Sequence, residues 1–268
     1  MVKVGRRVCK TILGHSGIQS VDYAINPYLG CEHGCVYCYA RFMSKMGHLG
    51  EEWGSFVDVK TNALDRLKAE AQRRERGVVL LSSVTDPYQI LEKSFELTRG
   101  ILEILLDYQY PIEILTKSDL VLRDVNILRK FNECEVGLTI TTIDDRVRSV
   151  FEPKAPSIER RLNALRRLHE SGLDTYVFIG PLLPYLSEDG LEDLLDEISI
   201  SANRVIVDKL NVKCGNLPDI QKALRMNYPG LQSSFESALS PGSTYYPRLK
   251  EKIGNLCKDR GVPFEFCY

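Results

Sequence analysis

Short apolar runs alternate along this chain with longer stretches in which apolar positions recur every three or four residues. The first pattern marks buried strands and the second marks helices with one buried face. Val78-Val-Leu-Leu-Ser-Ser-Val84 reads as a strand, followed by a helix from Phe95 to Asp107. Ile112 to Thr116 is the next strand, with a helix from Leu120 to Phe131 behind it. Val136 to Thr141 and Tyr176 to Ile179 are further strands, separated by a helix from Ser157 to Ser171. A helix from Glu188 to Ile200 leads to the strand Arg204-Val-Ile-Val-Asp208. An earlier helix, Ala63 to Arg76, is expected to take Asn62 as its cap. With a first strand near Tyr23 to Tyr28, about six βα units result. This alternation implies a parallel sheet wound through right-handed crossovers.

An eight-unit barrel takes about 250 residues, so six units and a tail fit a chain of 268. The expected fold is α/β: a partial (βα)6 TIM-like barrel over about residues 20–210. A C-terminal extension over about 211–268 carries the turn-forming stretches Tyr228-Pro-Gly and Ser240-Pro-Gly-Ser and ends in a helix and a strand. The whole is expected to be one domain. Functional sites of such folds sit at the carboxyl ends of the strands.

Composition narrows the partners only a little. With 44% apolar and 26% charged residues, the chain matches ordinary globular proteins. A net charge of −1 gives no whole-molecule attraction to nucleic acid or membranes, though a local basic groove is compatible with it. No apolar stretch approaches the roughly 18 residues of a membrane span, and the basic first ten residues lack the apolar run of a secretory signal. A soluble, cytoplasmic protein is expected.

The eight cysteines change the picture most, because three fall within eight residues, Cys31-Glu-His-Gly-Cys35-Val-Tyr-Cys38. Thiolates at this spacing on a tight loop suit three corners of a cubane iron–sulfur cluster, leaving one iron open to a small molecule. A zinc site with His33 or another cysteine as fourth ligand would use the same thiolates. Zinc motifs, however, usually bring a second separated pair, and none is present. Three adjacent cysteines cannot pair among themselves as disulfides without a remainder. Cys9, Cys134, Cys257 and Cys267 are scattered, and free thiols suit a reducing compartment.

The string Asn26-Pro-Tyr-Leu-Gly-Cys-Glu-His-Gly-Cys-Val-Tyr-Cys-Tyr-Ala-Arg41 resembles the radical S-adenosylmethionine (radical SAM) superfamily, and within it the spore photoproduct lyase-like branch. Weaker matches follow in the family's order: Ser82-Ser-Val-Thr-Asp-Pro-Tyr-Gln89, Ile114-Leu-Thr-Lys-Ser118, Arg123-Asp124, Leu138-Thr-Ile-Thr-Thr142, and Glu152-Pro-Lys-Ala-Pro156 with Arg160 and Arg161. The resemblance implies a partial (βα)6 barrel holding a 4Fe–4S cluster on Cys31, Cys35 and Cys38. SAM would bind the open iron, and an electron from an external reductant such as a flavodoxin or ferredoxin would cleave it. The products are methionine and a 5′-deoxyadenosyl radical, which takes a hydrogen atom from substrate. Nucleic acid, peptide and small metabolite all fit as substrate. Serines stand where the lyase's hydrogen-donor thiol aligns, near Leu81 to Val84, so lesion repair itself is not the expected activity.

The resemblance also assigns roles, each beside a plainer reading. Tyr37 would pack near the adenine, or plug the barrel mouth. Tyr39 matches a tyrosine of radical relay, or packs in the core. Ser83, Thr85 and Asp86 stand where relatives carry a Gly-Gly-Glu-like element for the methionyl ammonium; here the glycines are absent, and Asp86 alternatively caps the turn before Pro87. Lys117 would pair with the methionyl carboxylate, or be solvated. Thr139 and Thr141, two apart on one strand face, would bond the ribose, or satisfy backbone. Glu152 would pair with Arg160 or Arg161. Cys214, after the last barrel strand, is a candidate hydrogen donor or an idle thiol. The arginines at 73, 74 and 76 and at 160, 161, 166 and 167 read as solvated helix faces. His15, His33, His48 and His169 show no ligand spacing. The rival class is a non-catalytic zinc- or cluster-containing module that binds nucleic acid through those arginines.

Overall fold

A computed structural model describes residues 2–268. The chain opens with β1 (Lys3–Arg7), β2 (Gly14–His15), β3 (Tyr23–Ile25) and β4 (Tyr28–Leu29), then passes through the cysteine loop to β5 (Phe56–Lys60) and α1 (Ala63–Ala71). Next come β6 (Val79–Leu81), α2 (Glu92–Phe95), α3 (Leu97–Asp107), β7 (Ile112–Thr116), α4 (Val125–Leu128) and β8 (Cys134–Thr139). Helices α5 (Asp145–Phe151) and α6 (Ile158–Glu170) lead to β9 (Asp174–Leu182), α7 (Leu191–Ile198) and β10 (Arg204–Lys209). Helices α8 (Leu217–Asn227), α9 (Gln232–Leu239) and α10 (Tyr245–Asp259) precede β11 (Phe264–Phe266).

The main sheet has the order β11-β10-β9-β8-β7-β6-β3-β2. Every neighbouring pair from β3 to β11 is parallel, and β2 alone runs antiparallel. The six strands β3 and β6 to β10 follow one another in chain order, which is the winding of a partial (βα)6 barrel. Their carboxyl ends therefore share one rim. The extension closes the far edge, where β11 pairs in parallel with β10.

The strands are continuous apolar runs because both faces are covered. Val79, Leu81, Ile112, Ile114, Val136, Leu138, Val177, Ile179, Val205 and Val207 are all buried. Leu67 of α1, Ile101 and Leu105 of α3, Leu165 and Leu168 of α6, Leu194 of α7 and Leu249 of α10 complete the same core. Each such side chain contributes about 1.5–3 kcal/mol. None of the described helices is long and apolar enough to cross a membrane.

A second sheet, β1-β5-β4, was not readable from the sequence. Its edge strand is Lys-Val-Gly-Arg-Arg, which has no apolar run. Asp58 of β5 anchors it, accepting from Arg7 Nε at 3.1 Å and lying 3.1 Å from His48 Nε2. The His48 ring stacks on Phe56, with centroids 3.9 Å apart.

Several element boundaries differ from expectation for local reasons. The helix expected over 120–131 is a 3-10 segment, Asp119–Asp124, followed by the single turn of α4. Fully buried Asp124 fixes it there by accepting from Arg99 and Arg123. The helix expected from Phe95 is broken at Glu96, which has φ 48° and separates α2 from α3. α7 is shorter than expected and starts after left-handed Gly190. The strand expected to reach Val84 stops at Leu81, because Ser82 takes φ 71°. β8 likewise stops at Thr139, so Thr141 lies beyond the strand it was expected to share.

α1 ends at Ala71 rather than Arg76, and Asn62 does not cap it through its side chain. The Asn62 amide is spent on the backbone of Cys9, accepting from its N–H at 2.9 Å and donating to its carbonyl at 2.9 Å. Asn62→Ala should strand both groups, at about 2 kcal/mol. A melting temperature lowered by about 4–8 °C in a thermal scan is the expected outcome.

Candidate active site

The cysteine loop leaves β4 through Gly30, whose φ of 90° turns the chain at the barrel rim. The loop is then held by residues far away in sequence. Glu32 N–H donates to Gln89 Oε1 at 2.9 Å, and its carboxylate accepts from Leu91 N–H at 2.6 Å. Val36 N–H donates to the Phe151 carbonyl at 2.8 Å, and Lys154 N–H to the His33 carbonyl at 3.3 Å. Asn216 Nδ2 donates to the Tyr37 carbonyl at 2.6 Å. Gly34 (φ 60°) packs directly on Gly54 (φ 92°); a Cβ on Gly54 would lie 2.5 Å from Gly34 Cα.

Cys31, Cys35 and Cys38 are all free thiols on this loop. Burial pushes the Cys35 thiol up to about 12 and raises Cys31 and Cys38 as well. Thiolate is therefore stable there only when a metal supplies positive charge. Soft sulfur donors select iron–sulfur clusters or zinc. Among the described residues no three His, Cys, Asp or Glu side chains are gathered about one metal position. The donor set fits a polynuclear cluster, which ligates each thiolate at a separate iron. The buried indole nitrogen of Trp53 has no partner within hydrogen-bond limits and lies beside Cys38.

Behind the loop lies a buried ionic network. Arg161 was expected on a solvated face, but it is the largest fully buried side chain and pairs with fully buried Glu152. Its other nitrogens donate to the carbonyls of Pro156 and Thr139, each at 3.0 Å. The second Glu152 oxygen accepts from the Tyr37 hydroxyl and, at 3.2 Å, from Thr141 Oγ1. Arg160 turns outward to Asp119 instead, at 2.7 Å. Burial alone would push the Glu152 carboxyl up, but Arg161 and Lys117 outweigh it and hold the group at about 2.

The remaining candidates gather at the same rim, with different duties. Lys117 Nζ lies 5.8 Å from the centre of the Tyr37 ring. Burial opposes its charge, yet Cys35 and Glu152 raise its pKa above the ordinary lysine value. Asp86 is engaged by protein groups rather than standing free for an ammonium. It accepts from Thr116 Oγ1 at 2.6 Å, Lys117 N–H at 2.8 Å and Tyr88 N–H at 2.9 Å. The Thr85 hydroxyl donates to the Gly30 carbonyl at 2.6 Å, and Ser83 is fixed through its hydroxyl and N–H by Asn26, each at 3.1 Å. Thr139 is buried at the end of β8.

Tyr39 is 44% exposed, and its hydroxyl donates to the Ser83 carbonyl. Burial of the hydroxyl, with Cys38, Asp208 and Cys214 nearby, pushes it up to about 12. Arg41 draws the Cys214 loop toward the cysteine motif through Gly215 at 3.4 Å and Asp219 at 2.5 Å. Asn26, Gln89 and Asn216 were not picked out from sequence. The first two sit inside motif strings whose amides gave no chemical signal, and Asn216 had no signal at all.

Residues 25–198 match the family model described as the radical SAM superfamily. The chain belongs to that superfamily. An uncharacterized protein of Methanocaldococcus jannaschii is 38% identical over 91% of this chain and 89% of its own length. An uncharacterized protein of Mycobacterium tuberculosis is 30% identical over 93% of this chain and 78% of its own length. A solved structure of a spore photoproduct lyase variant with bound AdoMet and dinucleoside spore photoproduct shares the fold, with a TM-score of 0.72 over 99% of this chain and 82% of that one at 18% identity. As a radical SAM enzyme the protein uses a 4Fe–4S cluster and SAM.

Two outcomes follow from the packing behind the cluster loop. The folded value for Glu152 lies below its ordinary 4.5, so the ion pair's contribution is complete above that pH and is lost as pH falls toward 2. The shift corresponds to about 3 kcal/mol. Denaturant titrations should show this loss between pH 4.5 and 2 in the native protein, and a shallower profile for Glu152→Gln, whose remaining slope comes from other carboxylates held below their ordinary range, such as Asp144 and Asp145. Gly54→Ala should displace Gly34 and lower bound iron per chain by half or more after anaerobic reconstitution, with the circular dichroism spectrum retained.

Proposed function

We propose that this enzyme reductively cleaves SAM and uses the resulting radical to abstract hydrogen from an organic substrate admitted beside Tyr39. The observation that carries the reading is the three-cysteine loop, buried at the carboxyl rim of a parallel barrel and flanked by a lysine kept charged by its surroundings. Cys31, Cys35 and Cys38 would hold three irons of the cluster, which would supply, once reduced by an external one-electron donor, the electron for cleavage of SAM to methionine and a 5′-deoxyadenosyl radical.

The chain's own residues orient and enclose that event. Lys117 receives the methionyl carboxylate, and Asp86 holds the Lys117 backbone in place. Ser83 and Thr85 set the turn beside the methionyl end. Thr139 and Thr141 face the ribose, and Tyr37 walls the adenine while anchored to Glu152. Tyr39 and Cys214, at the exposed end of the site, are placed to return a hydrogen atom to the substrate radical. Burial of the loop keeps water from the reactive carbon. The nucleic acid-binding module is the weaker reading, because Arg161 of its proposed basic face is entirely buried.

Anaerobically reconstituted protein should be brown and should form 5′-deoxyadenosine from SAM and dithionite. Replacing any one of the three loop cysteines by alanine should abolish that product. Lys117→Met should weaken SAM binding about tenfold or more, the worth of a charge-assisted hydrogen bond, with the cluster's visible absorption retained. A colourless protein carrying one zinc would overturn the reading.

A further inference from the structure

A cleft of about 410 Å³ opens on the flank of the cysteine loop, where α2, the segment after β7 and the segment after α5 meet. Tyr37, Lys117, Thr139 and Thr141 contribute nothing to its walls, so it is separate from the mouth assigned to SAM. Its lining includes His33, which is 2% exposed and whose two ring nitrogens have no hydrogen-bond partner among the described residues. Asp86 stands 3.8 Å from His33 Nε2, beyond hydrogen-bonding distance, and is already occupied by Thr116, Tyr88 and Lys117. Tyr88, 1% exposed, also lines the cleft, with its hydroxyl turned toward buried Asp124. Leaving the buried His33 nitrogens unsatisfied costs about 1–3 kcal/mol each. A ligand that satisfies them is a natural resolution.

The charge around the cleft says what kind. Lys93 and Lys154 stand exposed at its rim. Among the described residues neither pairs with a carboxylate, and Lys154 spends one donor on the Gly54 carbonyl at 2.8 Å. The acid in the lining, Asp119, is already held by Arg160 through both oxygens, at 2.7 and 2.8 Å. The uncommitted charge is therefore positive. Donors come from the floor (the His33 imidazole) and from two separate rim positions. That arrangement suits a tetrahedral oxyanion with several oxygens better than a planar carboxylate with two. Ile90 and Pro156 provide apolar wall for an attached organic group.

We propose that this cleft binds a phosphate group, carried on a small phosphate ester such as a nucleotide or present as free phosphate. The site is additional to the radical chemistry and does not depend on it. The test titrates cluster-loaded full-length protein, with SAM present to fill the mouth, against uridine 5′-monophosphate, uridine and inorganic phosphate by anaerobic calorimetry. The nucleotide should bind and uridine should not. The variant Lys93→Ala should bind the nucleotide about tenfold more weakly, and added salt should weaken binding to the native protein. Dithionite-driven 5′-deoxyadenosine formation should be unchanged in that variant, which separates this site from the cluster assignment. Tighter binding of the nucleotide than of inorganic phosphate assigns an ester; equal binding assigns free phosphate; both outcomes support the site. Absence of binding by both phosphate ligands, or equal affinity in the native protein and Lys93→Ala, overturns it.

Discussion

The pairing of Glu152 with Arg161 is the constraint around which the site is arranged. Two charges removed wholly from water are tolerable only when each satisfies the other and their remaining hydrogen-bonding groups are filled. Here Thr139, Pro156, Thr141 and Tyr37 supply those partners. They come from the end of β8, the entry to α6 and the cysteine loop. Satisfying one ion pair therefore fixes three segments relative to one another. A second buried knot joins Arg123 to Glu92 at 2.8 Å and to Asp124 at 2.7 Å, while Tyr28 donates to Glu92.

This arrangement explains how a loop, usually the most mobile kind of segment, meets the geometric demands of a cluster. Its backbone is clamped by Gln89, Phe151, Lys154 and Asn216, and its Glu32 carboxylate is held by the Leu91 N–H. Lys117 gains its retained charge from the same network, because Glu152 and Cys35 offset the cost of burying an ammonium. Scaffold and electrostatics at this rim are one set of interactions. Mutating either affects both.

The barrel was legible in the sequence because its strands are buried on both faces and its helices on one, which leaves distinct periodicities. The cysteine loop was legible because three cysteines fall within eight residues. Arg161 was not, since it sits in a run of arginines whose neighbours Arg160 and Arg166 do face outward to Asp119 and Glu197. Asn62 looked like a cap because capping is local, whereas its partner Cys9 lies 53 positions away. Asn216 reaches Tyr37 across 179 positions. Pairings at such separations leave no periodic trace. The sheet β1-β5-β4 escaped because its outer strand is polar, as an edge strand normally is.

The contact between Gly34 and Gly54 makes the polar stretch following the cysteines part of the cysteine loop's support. Gly54 is set in place by β5, two residues later, so the connecting segment from Gly47 to Ser55 spans a fixed gap between two anchored ends. Its side chains face outward at Leu49 and Glu52, leaving their identity open to drift. An inserted or deleted residue would instead shift Gly54 off its seat. The exposed positions of this segment tolerate substitution, whereas its length is fixed by the two ends it joins.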